Sequence, residues 1–256
     1  MITRECLDNI YHKYNKFELI SPDPLQFVHN YKSDADKEIV ALIAASFAYG
    51  NVKQIIKTVD KILSILGPSP KDFILKTSRG DLQKLFKGFK YRFTTEEELI
   101  NLLLAVRAAL KAYGSLEKMF LSFYKEKGDF LFAERAFAAK LRSCGKMDTL
   151  IPNPAKNSAL KRLNLCLRWC VRKDEVDPGC WREIPASALI VPLDVHMHRV
   201  GKMLGLTKRN QADMKTALEI SASFAKLCPE DPIKYDFSLT RFGIRDDMSE
   251  KDLENI

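Results

Sequence analysis

The chain has 256 residues, 46% hydrophobic and 29% charged, which excludes a disordered chain and leaves apolar surface for one large domain or two packed lobes. Its net charge of +8 and pI near 9.1 favour an anionic partner, nucleic acid ahead of an acidic membrane surface. The start, Met1-Ile-Thr-Arg-Glu-Cys6, lacks the apolar stretch of a signal peptide, and no apolar run reaches bilayer-spanning length, so a cytoplasmic protein with no membrane partner is expected.

Apolar residues recur at helical spacing along the sequence. Ile39, Ile43 and Phe47 share a face of a helix that ends near Gly50. The next carries Val52, Ile55, Val59, Ile62 and Leu66 and stops at Gly67-Pro68. Thr95-Glu-Glu-Glu98 is a capping box opening a helix to Gly114; Ser115 caps another, and Asp129 starts one toward Cys144. Further helices are expected over 158–172, with Trp169 turned inward, over 194–204, and over 211–228. Asp231-Pro232 supplies an N-cap and a first-turn proline for a last helix, with Gly243 after its final turn. No alternating β-branched run is bounded by hairpin signals, and Pro192 argues against a central strand at Leu189-Ile-Val. The expected fold is all-α, with a central lobe over 37–175 and a second lobe made of 1–36 plus 176–256.

The six cysteines, Cys6, Cys144, Cys166, Cys170, Cys180 and Cys228, include no C-x-x-C pair. They read as reduced thiols, with Cys166 and Cys170 as small core residues of one helix. No metal and no cofactor are expected.

Chemistry concentrates at Val191-Pro-Leu-Asp-Val-His-Met-His-Arg-Val200. By position, Asp194 is the N-cap of the following helix, and most such residues do nothing more. Two neighbours point further. The apolar approach Leu189–Leu193 would set the carboxylate at the edge of a partly buried cleft, and Arg199, Lys202, Lys208 and Arg209 make the region basic.

This stretch resembles the V-P/V-D-x-H-x-x-R-V segment of the helix-hairpin-helix (HhH-GPD) DNA glycosylase superfamily, which includes endonuclease III and the 8-oxoguanine glycosylases. Its Pro-x-Asp-Val-His-Met spelling is nearest the 8-oxoguanine branch. Glu38–Ile55 is similar to the helix–turn–helix opening that superfamily's central lobe, and Gly88-Phe-Lys-Tyr-Arg-Phe93 to its L-G-x-R-x-x-Y stretch. The chain as a whole resembles a bacterial family catalogued as domain of unknown function 2400, through Lys161-Arg-Leu-Asn-Leu-Cys-Leu-Arg-Trp169. The resemblance implies a two-lobed helical glycosylase fold, a monomer, and double-stranded DNA with a damaged base as partner.

It also implies roles. Asp194 would be the catalytic carboxylate, facing the positive charge that develops on the sugar as an N-glycosidic bond breaks. A bifunctional member adds a lysine that forms a Schiff base. Lys161, opening an apolar helix, is the candidate; Lys156 and Lys173 are rivals, and a solvated side chain or phosphate contact is the plainer reading. The usual hairpin reads L-P-G-V-G-x-K, whereas Leu150-Ile-Pro-Asn-Pro-Ala-Lys-Asn-Ser-Ala-Leu-Lys161 has neither glycine. Lys161 also lies 33 residues before Asp194, an interval resembling the archaeal 8-oxoguanine glycosylase branch. Asn153, Asn157 and Ser158 would replace the lost backbone contacts to phosphate. The superfamily's C-terminal iron–sulfur cysteines are absent.

His196 and His198 are expected to orient near Asp194 or the DNA backbone; a metal site would need further ligands, and residues two apart on a helix diverge. Arg199 and Lys202 are candidate phosphate contacts. Tyr49 and Asn51 sit at the turn where the superfamily wedges a side chain into the duplex, although an ordinary helix end with Gly50 explains them equally. Three functions follow: a glycosylase, with or without lyase activity, for an oxidised purine such as 8-oxoguanine; a non-catalytic module of the same fold for distorted DNA; and, more remotely, a metal-dependent hydrolase.

Overall fold

The computed structural model describes residues 2–156, 158–244 and 248, and these are mostly helical. In chain order the helices are α1 (Arg4–Tyr14), α2 (Asp34–Ser46), α3 (Val52–Leu66), α4 (Pro70–Lys76), α5 (Arg79–Leu85) and α6 (Glu96–Tyr113). They continue with α7 (Leu116–Lys127), α8 (Phe130–Arg142), α9 (Lys161–Val171), α10 (Val195–Met203), α11 (Met214–Ala225) and α12 (Asp236–Ile244). Among the described residues one hairpin pairs β1 (Lys90–Tyr91) with β2 (Thr94–Thr95), Tyr91 opposite Thr94. Among the described residues no single helix is long and apolar enough to cross a membrane.

The chain forms two compact units. The first comprises Met1–Ser21, Asn157–Gly179 and Ile184–Ile256; the second comprises Pro22–Lys156 and Cys180–Glu183. This division differs from the expected boundaries at 36/37 and 175/176. It groups the helix that opens at Lys161 with Asp194, because α9 is tied by ion pairs to segments of the first unit.

The second unit is built around α2. This alanine-rich helix is buried continuously from Glu38 to Ser46, as befits a helix packed on every side. The 3-10 helix Pro24–Asn30, α3, α4 and α7 surround it. Helix α3 buries Ile55, Val59, Ile62, Leu63 and Leu66 on one face, each such side chain contributing about 1.5–3 kcal/mol. The capping box at α6 forms as its sequence dictates: Thr95 accepts the Glu98 N–H, and the Glu98 side chain accepts the Thr95 N–H. Glu38 reaches from α2 to the start of α7, accepting the N–H groups of Leu116 at 2.9 Å and Glu117 at 3.0 Å and the Trp181 indole N–H at 2.9 Å.

The first unit packs α12 against α1 and α10, with Trp169 of α9 fully buried, as its place on the apolar face predicts. One side of α9 is a buried row of cations. Arg168 pairs with Asp177 and Asp236, and Arg172 with Asp174, Asp177 and Asp231. Desolvation of these charges is offset only because each guanidinium meets several carboxylates.

Three helix starts lie later in the chain than expected. Helix α9 begins at Lys161 rather than Ser158, because Ser158 pairs as an isolated bridge with Asp213 and Leu160 adopts a left-handed conformation (φ 46°). Helix α11 begins at Met214, since Asp213 takes the N-cap position and accepts the Thr216 N–H. Helix α12 begins at Asp236, not Pro232: the Asp231 carboxylate is held by Arg172, and residues 232–235 form turns that bury Ile233 and Tyr235. Gly243 therefore lies inside α12 rather than after its last turn.

Candidate functional site

Asp194 is the N-cap of α10. Its Oδ1 accepts the backbone N–H groups of His196 at 2.9 Å and Met197 at 2.8 Å, satisfying two of the four donors that a helix start leaves free. That fixes the carboxylate and leaves Oδ2 for another task. Oδ2 lies 3.6 Å from Nζ of Lys161, with the aspartate side chain 17% and the lysine side chain 35% exposed. This is charge-pairing distance but too long for a hydrogen bond, so the amine is not clamped.

Lys161 reaches this position through local strain. Leu160, held in the left-handed region as the N-cap of α9, makes Lys161 the first helical residue. A non-glycine residue there costs about 1–2 kcal/mol. Burial of the Leu160 side chain, 3% exposed, offsets it by a similar amount. A cation at the positive end of a helix is itself mildly unfavourable, and a half-exposed pair contributes about 1 kcal/mol or less. Stability therefore gives little reason for Lys161 to stand beside Asp194.

The row of charges along α9 continues behind this pair. Asp236, the first residue of α12 and paired with Arg168, is fully enclosed; burial pushes its carboxyl up to about 6, with Arg168 pulling it down and the charges of Asp194 and Asp177 adding to the rise. The Arg168 bridge holds α9 to α12, and α12 packs on α10, so the elements carrying Lys161 and Asp194 are braced within one unit.

The rest of α10 presents an exposed face at i, i+4 and i+7: Val195, Arg199 and Lys202. Lys202 donates to the Asn210 side chain at 2.7 Å, and Nε2 of His198 contacts the Arg209 carbonyl at 2.9 Å. Arg209 in turn grips Asp213 and Thr216. Among the described residues no three His, Cys, Asp or Glu side chains converge as a metal site.

The first unit therefore brings together Lys161, Asp194, Ser158, His196, His198, Arg199 and Lys202. Tyr49, Asn51 and Asn153 belong to the second unit, and Asn157 lies outside the described residues. Asn51 is the N-cap of α3, its side chain accepting the N–H groups of Lys53 and Gln54. Tyr49 packs edge-on against Tyr91, its hydroxyl contacting Thr94. Asn153 accepts the Ala155 N–H and closes a local turn.

One exposed feature of the second unit lies in Gly88–Phe93, which the sequence marked only as resembling a superfamily stretch. The β1–β2 turn consists of Arg92, left-handed at φ 51°, and Phe93, 74% exposed, with the guanidinium 5.8 Å from the ring centroid. The Arg92 side chain lies over Gly50, where a Cβ would stand 2.6 Å from its Nη1. The aromatic residues of Phe89-Lys-Tyr-Arg-Phe93 were a signal, but strands of two residues carry no detectable alternation.

A family model described as "Protein of unknown function (DUF2400)" matches residues 23–245. No curated protein and no solved structure significantly matches the chain. Since the match takes in both units, including α9 and α10 with Lys161 and Asp194, the protein belongs to the DUF2400 family.

Proposed function

We propose that the protein is a DNA base-excision glycosylase with an associated lyase step, acting on an oxidised purine such as 8-oxoguanine in double-stranded DNA. The observation that carries this reading is Nζ of Lys161 at 3.6 Å from Oδ2 of an Asp194 whose other oxygen is fixed by two backbone donors. The likeness of Val191–Val200 to the glycosylase motif supports it, as does the net charge of +8.

In this mechanism the Lys161 amine attacks the anomeric carbon of the flipped nucleotide, and the N-glycosidic bond breaks with its electron pair leaving on the base. The proton shed by the amine passes through Asp194 to the departing base. The Asp194 carboxylate faces the positive charge that grows on the sugar. Opening of the sugar ring leaves an imine to Lys161, and loss of the proton at C2′ expels the 3′ phosphate. Arg199 and Lys202 on the exposed face of α10 contact backbone phosphates.

The test is cleavage of a panel of duplexes, each with one modified base. Asp194→Asn should lose cleavage while DNA affinity stays within a few-fold, because Asn can still cap α10. Full activity in that variant would contradict the assignment.

One observation favours a second reading, a non-catalytic module for distorted DNA. Among the described residues of 143–160, between α8 and α9, there is no helix, and the sequence of Leu150–Lys161 has no glycine for a phosphate-binding hairpin turn. Tight binding of damaged duplexes with no cleavage across the panel would select this reading.

A further inference from the structure

A cleft of about 590 Å³ opens in the second unit where the 3-10 helix Pro24–Asn30, the start of α2 and the end of α3 meet. Its apolar walls come from Phe27, Tyr31 and Leu63, and its charged groups are Asp36, Asp60 and Lys32. The Tyr31 hydroxyl donates to the Gly67 carbonyl at 3.4 Å, joining the two sides. Burial, and then the charge of Asp36, raises the Tyr31 phenol above its ordinary value.

Asp36 is the unusual member. It is only 7% exposed, and its Oδ1 accepts the Lys71 N–H at 2.8 Å, capping α4, for which Ser69 supplies no side-chain cap. A cap needs one oxygen. Oδ2 has no hydrogen-bond or ion-pair partner among the described residues, yet it is not sealed in the interior, so it meets open space where Asp36 lines the cleft. That oxygen is open to the cleft, and an ammonium placed on it would form a charge-assisted hydrogen bond.

The charges in the cleft leave one negative charge in excess, Asp36 and Asp60 against Lys32, on a chain whose net charge is +8. The apolar surface of Phe27 and Leu63 suits methylene groups, and the Tyr31 ring suits an ammonium. We propose that this cleft binds a small aliphatic diamine or polyamine, with one ammonium on Asp36 Oδ2, the alkyl chain along Phe27 and Leu63, and a second ammonium at Asp60. This site is independent of Lys161 and Asp194 and of the reaction proposed for them.

Isothermal titration of the full chain with putrescine, and with an uncharged diol of the same length, tests it. Saturable one-site binding of putrescine and none of the diol is expected. Asp36→Asn, which keeps an acceptor for the Lys71 N–H, should weaken binding at least about tenfold. Asp60→Asn, at an exposed position that bears on no fold contact, should weaken it several-fold and decides the matter if Asp36→Asn unfolds. Absence of saturable putrescine binding, equal binding of the diol, or undiminished affinity in the variants would overturn the proposal.

Discussion

The two units handle buried charge in opposite ways. In the first, Arg168 and Arg172 are nearly inaccessible and share four carboxylates, so charge is matched by charge. In the second, Glu38 is met by backbone and indole N–H groups, and Glu134 of α8 is wholly enclosed with neither oxygen bonded. Burial pushes the Glu134 carboxyl well above its ordinary range, with Arg135 only partly opposing it, which favours the protonated form. The lesson is that ion pairs serve where several segments must be held in register, as α9, α12 and the 173–178 loop are around the Lys161–Asp194 pair. Inside a unit already defined by apolar packing, an enclosed carboxyl stands without a cation bonded to it.

The difference can be broken from the first unit with the largest effect. Arg168→Met leaves Asp177 and Asp236 buried without that cation and should cost about 3–5 kcal/mol in urea unfolding; a loss below about 1 kcal/mol would mean the network is not what holds α9. Next, Glu38→Leu strips the acceptor from two N–H groups of α7 and from Trp181. It should cost about 2–3 kcal/mol, part being recovered by water at the half-exposed helix start.

The smallest effect has the opposite sign. Glu134→Gln should be neutral or stabilising by up to about 1 kcal/mol at neutral pH. The pH dependence sharpens it. The folded Glu134 carboxyl titrates above the unfolded one, so the folded chain retains a proton that the unfolded chain has lost. Its favourable contribution is complete below the unfolded carboxylate range and declines as pH rises above it. Asp236, raised from 3.8 to about 6, adds a fall over that same interval. Urea midpoints should therefore drop between about pH 4 and pH 7, and drop less in Glu134→Gln; an identical slope in the variant would show that Glu134 is ionised when folded.

Much of the helical frame was legible because its signals are local. The Thr95–Glu98 box, the Ser115 and Asp129 caps and the Gly67 stop act within a few residues of their own chain. Misplaced starts share another cause: distant partners override the local signal. Asp231 reads as a cap but is taken by Arg172, and Ser158 reads as a helix start but is drawn into a bridge with Asp213. The Leu160 conformation, which presents Lys161, has no local signature, since leucine is a poor choice for the left-handed region. Of the candidate site, the Asp194 cap could be read from Pro192-Leu-Asp194 alone. The approach of Lys161 across 33 residues required the fold, and the Asp36 cap was invisible because the N–H that its Oδ1 accepts, from Lys71, belongs to another helix.

The central claim is that the Lys161 amine, next to Asp194, attacks the sugar of a damaged nucleotide. Borohydride reduction during incubation with a duplex containing 8-oxoguanine tests it directly, because it converts the imine into a stable protein–DNA adduct seen by gel mobility and mapped by mass spectrometry. The account predicts an adduct on Lys161 that disappears in Lys161→Gln and is strongly reduced in Asp194→Asn, with both variants folded and binding DNA. An adduct on another lysine, or undiminished trapping in Lys161→Gln, would contradict it.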